Sequence, residues 1–201
     1  MSFIFDTEHI LENENVRLTP LAKEDLAHLK RFALNEPHLW QHSLVPADSE
    51  ERMQNYINLA IQARENKTAY AFAIYDKTKQ TYAGSTRFYD IQPESSCVQL
   101  GYTWYGSQFQ RTGLNRHCKF LMLAFIFDTL GMHRVEFRAD HDNKQSITAM
   151  KGIGCTAEGV LRSNGFRTDG SRRNSIVLSI LKDEWDSRLR EGLRLKCRPV
   201  M

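Results

Sequence analysis

Between residues 70 and 106 the apolar residues recur at every second position, in three runs: YAFAIYD, QTYAGSTRFYDI and SCVQLGYTWYG. That period marks strands with one buried face. Turn residues separate them, Asp76-Lys77 and then Gln92-Pro93-Glu94, so the three strands follow one another as hairpins. Helical spacing brackets the block. Lys23 to Leu34 carries Leu26, Leu29 and Leu34, and should stop at Asn35-Glu36-Pro37, because proline disfavours helix in the residue before it. Residues 37–48 read as an aromatic loop or broken helix. Asp48 or Ser49 then caps a helix bearing Met53, Tyr56, Ile57, Ala60 and Ile61. Residues 112–130 return to helix, with Leu114, Cys118, Leu121 and Phe125 on one stripe and Gly131 as C-cap.

At the start of the chain, Val16 and Leu18 alternate with Arg17 and Thr19 in a first strand that ends near Pro20. Beyond the helix, HRVEFRAD is a strand and Asn143 to about Lys151 a short helix. Two strands surround SNGFRTDGS, and a charged helical tail starts near Asp183. Hairpins mixed with helical crossovers predict an α/β or α+β fold. The 201 residues suffice for one core, so a single domain over 1–185 with a tail over 186–201 is expected.

Composition excludes several classes. With 41% hydrophobic and 25% charged residues, the chain as a whole is neither disordered, collagen-like nor coiled coil. Asp6, Glu8, Glu12 and Glu14 precede the first basic residue, Arg17, which is the reverse of a secretory leader. The most apolar stretch, Leu121 to Phe127, is too short to span a bilayer. Cys97, Cys118, Cys155 and Cys197 form no CxxC pair, so a reducing cytoplasm is the expected location. His38 and His42 lack a third ligand at sensible spacing, and no metal is expected. The net charge of +3 lies wholly in residues 186–201, where Arg188, Arg190, Arg194, Lys196 and Arg198 face Asp186 and Glu191. It is too small for a general nucleic-acid coat, so no direct nucleic-acid partner is expected.

The chemistry concentrates in VQLGYTWYGSQFQRTGLNRHCKFL, a strand, a turn and a helix. At the helix start, around Gln110-Arg111-Thr112-Gly113-Leu114-Asn115, backbone N–H groups lack intrahelical partners and the dipole favours an anion, phosphate above all. Gly113 allows close approach, and Arg111, Arg116 and Lys119 add positive charge.

These residues resemble the GNAT N-acetyltransferase superfamily, whose pyrophosphate signature is Gln/Arg-x-x-Gly-x-Gly/Ala. Gln110-x-x-Gly113 matches, with Asn115 in the last position, as in the branch of ribosomal-protein N-terminal acetyltransferases. A second segment, HRVEFRADHDNKQSITAMKGIGCTAEGVLR, is similar to the family's strand, Asn-x-x-Ser/Ala helix, glycine and strand. The resemblance runs from about Val16 to Trp185. It implies a mixed, mostly antiparallel sheet flanked by helices, with splayed central strands, and acetyl-CoA as cosubstrate without a metal.

It further implies that the helix start, Gln110 to Arg116, holds the pyrophosphate, and that Tyr102, Thr103 and Trp104 in the preceding strand pair with the pantetheine amides. Asn143 would orient the short helix or touch the cofactor. Ser146 would protonate or hydrogen-bond the leaving thiolate. His38 and Trp40, with Phe88 and Tyr89, are expected on the acceptor side.

Two proton-handling positions depart from the family: Gln99 stands where many members have Glu, and Met150 where many have Tyr. An α-amine, with pKa ~8, is already about one-tenth neutral at pH 7, whereas a lysine at ~10.4 is not. The missing carboxylate therefore favours a protein or peptide N-terminus as acceptor, with Glu158, Asp90 or a water chain as substitute bases. A small amine (amino acid, polyamine or aminoglycoside), an acetyl-CoA-binding protein without catalysis, and a salt-sensitive RNA module built on the basic end stand as rivals. A homodimer stays open.

Overall fold

The structure, a computed structural model, describes residues 3–197. Eight strands form one sheet in the order β1-β2-β3-β4-β5-β6-β8-β7. They are β1 (Leu11–Glu12), β2 (Val16–Pro20), β3 (Ala69–Asp76), β4 (Thr81–Gln92), β5 (Cys97–Tyr105), β6 (Arg134–Asp140), β7 (Thr156–Phe166) and β8 (Arg172–Leu181). All neighbours are antiparallel except β5 and β6. The alternating runs thus became the strands they predicted, and only the two-residue β1 lay below what a period can show.

The helices are α1 (Leu26–Asn35), α2 (Glu50–Glu65), α3 (Leu114–Ala124) and α4 (Lys144–Gly152). Ser49 caps α2, its hydroxyl accepting the Arg52 N–H at 3.2 Å. Consecutive strand residues face opposite sides of a sheet. On β4, the Ser85 hydroxyl meets Tyr56 of α2 at 3.5 Å while the Thr86 hydroxyl meets Met122 of α3 at 3.6 Å. Helices α2 and α3 therefore cover opposite faces. Both faces are packed, with Phe72, Phe88, Val98, Met122, Val135 and Leu178 all fully buried.

The chain ends in a helical turn α5 (Lys182–Glu184), a π-helical stretch (Trp185–Leu189) and α6 (Arg190–Lys196). Trp185 is fully buried, Leu193 is buried, and Lys196 Nζ donates to the Gly152 carbonyl at 3.0 Å. The described part of the basic segment thus packs onto the domain, while Arg198 lies outside the described residues.

One junction positions the site. β5 and β6 pair through Cys97–Arg134, Val98–Val135 and Gln99–Glu136 and no further, although β5 runs on to Tyr105 and β6 to Asp140. On its other side β5 has shifted register against β4 between Ser85 and Arg87, and Tyr102 takes a left-handed conformation with φ 49°. A bulge of this kind bends its strand, and here the two central strands splay apart.

Candidate active site

The splay opens a cleft of about 1350 Å³ between the outer halves of β5 and β6. The starts of α3 and α4 flank it, the loop carrying His38 to Leu44 roofs it, and Arg173 and Ser175 of β8 add to one wall. Such a volume exceeds a single small-molecule pocket.

Gly113 caps α3 with φ 94°, and a Cβ built there would meet nothing within 4 Å. The helix start is therefore an open cradle of backbone donors. Its side chains hold its shape. Gln110 Nε2 donates to the Tyr105 carbonyl at 3.0 Å, and Gln110 Oε1 accepts from Gln145 Nε2 at 2.9 Å, linking the turn to α4. Tyr105 donates its hydroxyl to Asn115 Oδ1 at 3.1 Å, and Thr112 donates to the Phe109 carbonyl at 2.8 Å. Thr112 and Leu114 do not line the cleft: the one is exposed beside its own turn and the other is buried in the core.

Lys119 also sits differently from the expectation. It is buried, one turn deeper than the cradle, and its Nζ donates to Thr103 Oγ1 at 2.8 Å. Burial pushes its ammonium down to about 8. The spacing groups it with Arg111 and Arg116 as charge for an anion at the helix start; its helix face turns it toward β5 instead.

On α4, Asn143 Oδ1 accepts the Ser146 N–H at 3.0 Å and caps the helix. The Ser146 hydroxyl lines the cleft, with no hydrogen-bond partner among the described residues. Met150 lines it too, where the family resemblance led one to look for tyrosine.

Across the cleft, Gln99 is buried opposite Tyr89 and donates to Asp90 Oδ2 at 2.6 Å. Tyr89 lines the cleft and lies edge-on to Tyr102, centroids 5.1 Å apart. Phe88, one residue earlier, necessarily faces the other way: it is fully buried against Phe125 at 6.1 Å and touches no part of the cleft. The acceptor-side expectation fails for Phe88: the register against β5 turns Tyr89 to the cleft, and alternation then puts Phe88 on the other face. Trp40 and Trp104 line the cleft and meet edge-to-face at 4.8 Å, and His38 Nε2 lies 3.2 Å from Ser107 Oγ.

The substitute bases fare unequally. Glu158 grips Arg134 at 2.5 and 2.7 Å, a pairing that holds its carboxyl down to about 2, and it does not line the cleft. Asp90 reaches the cleft only through Gln99. Asp140, which the sequence reading passed over, is the one acid among the lining residues, beside seven Lys or Arg. Arg167 binds both its oxygens, at 2.6 and 2.9 Å, and holds it down to about 2. Cys118 is core, its thiol pushed up to about 12 by burial. Among the described residues no group of three or more His, Cys, Asp or Glu could hold a metal, and no helix is long and apolar enough to cross a membrane.

Residues 15–156 match the family model described as an acetyltransferase (GNAT) domain. The chain belongs to the GNAT acetyltransferase family. YdaF of Bacillus subtilis (strain 168), provisionally assigned as a ribosomal N-acetyltransferase, is 21% identical over 87% of this chain and 95% of its own. A GCN5-related N-acetyltransferase from Brucella melitensis superposes with a TM-score of 0.88 at 22% identity, covering 98% of this chain and 88% of that one. RimL, a ribosomal α-N-protein acetyltransferase solved with coenzyme A, gives 0.76 at 17% identity over 88% and 99%. This GNAT enzyme is an acetyl-CoA-dependent N-acetyltransferase.

The cleft fits that cosubstrate. It offers an open glycine cradle at a helix start, a strand edge on β5 that β6 leaves unpaired, and a marked excess of basic lining groups. Gly113→Glu should weaken acetyl-CoA binding about 100-fold, since it fills the cradle with a carboxylate. The backbone strain itself should cost only about 1 kcal/mol. Titration calorimetry and thermal unfolding separate the two effects.

Proposed function

We propose that this GNAT enzyme acetylates the N-terminal α-amine of a protein or peptide. The observation that carries this reading is the state of the cleft's carboxylates: the one that lines it, Asp140, is committed to Arg167. With no free carboxylate to take its proton, the acceptor must supply its own neutral fraction, which near pH 7 is about one-tenth for an α-amine at ~8 and only about one part in a few thousand for a lysine at ~10.4. The excess of basic lining groups also argues against polyamines and aminoglycosides, whose several cations need an acidic wall.

Acetyl-CoA supplies the acetyl group as an activated thioester. The N–H groups of Arg111 to Asn115 would hold the pyrophosphate, with Arg116 adding its charge, and Gln110, Thr112 and Asn115 keep that turn in shape. The edge of β5 from Gly101 to Trp104 would pair with the pantetheine amides as an added strand does. Ser146 Oγ, free of partners and presented by the Asn143 cap, is our donor to the departing sulfur. Gln99, locked to Asp90, would orient the acceptor amine or its ordered water and not take its proton.

With a Ser- or Ala-initiated peptide, Ser146→Ala should lower kcat on the order of 10- to 100-fold and leave the Kd for acetyl-CoA within about twofold. The wild-type kcat/KM should rise with pH to a plateau set by the acceptor's own ionisation near ~8. A plateau reached near pH 6, or an unaffected Ser146→Ala enzyme, contradicts this assignment.

A further inference from the structure

Around the acceptor half of the cleft several buried side-chain nitrogens lack a hydrogen-bond partner: the indole N–H groups of Trp40 and Trp104, His42 Nδ1, and Arg87 Nε, whose guanidinium lies over the Tyr102 ring at 4.4 Å. Beside them stands Arg173 on β8. It is 6% exposed, lines the cleft, and uses its guanidinium only on neutral groups: Nε donates to Ser175 Oγ at 3.1 Å and Nη1 to the His42 carbonyl at 3.4 Å. Its Nη2 has no partner among the described residues, and no carboxylate lies within ion-pairing distance of it. Asp140 is nearby, but Arg167 occupies both of its oxygens. The phenols of Tyr89 and Tyr102 are close enough to act on its charge.

A buried guanidinium without a counter-ion is costly, because it gives up hydration and receives no charge in return. Its neighbour Arg172 shows the alternative. One residue earlier on the strand, it faces solvent and binds Ser163 Oγ at 2.7 Å. Holding Arg173 inward, with a free nitrogen toward the cleft, makes sense for an anion that arrives with the substrate. A guanidinium fork matches a carboxylate in shape and charge.

We propose that Arg173 binds a carboxylate of the acceptor, so that the acetylated amine carries an acid close by. This rests on the amine-acceptor reading above. Two sources share that chemistry: an acidic second residue at a protein N-terminus, and the α-carboxylate of a free amino acid.

The test compares acetyl transfer to two peptides identical but for beginning Ser-Asp or Ser-Asn, and to free serine against serinamide. In parallel, calorimetry measures binding of the two N-acetylated peptides, N-acetylserine and N-acetylserinamide to the protein without cofactor. In at least one pair, the acid should exceed its amide at least tenfold in kcat/KM and in affinity. Arg173→Gln should bring the acid down to the level of the amide, and Arg173→Lys should restore part of the gap. Thermal unfolding of both variants identifies any loss of folding, in which case the wild-type acid-to-amide ratios decide. Equal values for acid and amide in both pairs, in turnover and in binding, overturn the carboxylate site. An acid preference confined to the free amino acid, with neither peptide turned over, keeps the site and defeats the peptide acceptor. Efficient transfer to both peptides alike, with free serine no better than serinamide, keeps the peptide acceptor and defeats the site.

Discussion

Gly84→Ala is expected to destabilise the protein by at least about 3 kcal/mol, or to prevent folding altogether. Gly84 sits on β4 opposite Tyr105, and a Cβ there would overlap the Trp104 carbonyl oxygen of β5. The obstacle is backbone, so no side chain can swing away, and relief requires β5 itself to move. Overpacking of even a movable neighbourhood costs about 1–3 kcal/mol. The displaced strand is the one whose free edge borders the cleft, so acetyl-CoA affinity should fall with stability. Denaturant unfolding with and without acetyl-CoA checks both, and a variant within about 1 kcal/mol of wild type would show that β4 and β5 are not held this closely.

Lys119→Met should have the opposite sign. The ammonium lies buried against Thr103 with burial pushing its pKa from 10.5 to about 8. Between those values the unfolded chain holds more protons than the folded one, so stability rises as pH climbs from about 8 toward 10.5. Below pH 8 the cost of keeping the charge inside is present in full, on the order of 3 kcal/mol at 1.36 kcal/mol per unit. Methionine keeps the stem and removes the charge, so the variant should melt roughly 6–12 °C higher at pH 7. Its stability should also lose the alkaline rise. Melting curves of both proteins at pH 7 and pH 10 suffice, and equal midpoints at pH 7 would refute the argument. A lysine kept in a cleft against the interest of stability is itself a mark of function.

The fold was largely legible because it is carried by local periods: strands by alternation, helices by their apolar stripe, ends by Pro37, by Ser49 and, past the π-helical stretch Phe125–Thr129 that continues α3, by Gly131 at φ 66°. The cradle at Gly113 was legible because a glycine at a helix start is a local signal. Other facts were not local. Alternation says that Phe88 and Tyr89 face opposite ways, yet which of them meets the cleft depends on register against β5. Nothing in the spacing tells a buried Lys119 from an exposed Arg116 one turn earlier. Arg173 was visible only as one of several arginines around a hairpin, and its meaning depends on Asp140 already being taken by Arg167, 27 residues away in sequence.

Three registered residue pairs join β5 to β6, whereas seven join β6 to β8. The sheet is therefore two blocks with a weak seam, and the seam is where we propose that the cosubstrate binds. A ligand bridging both sides acts as a rivet, adding stability that grows with the logarithm of its concentration. Such a chain resists local opening, and the proteolysis that follows it, best when acetyl-CoA is plentiful.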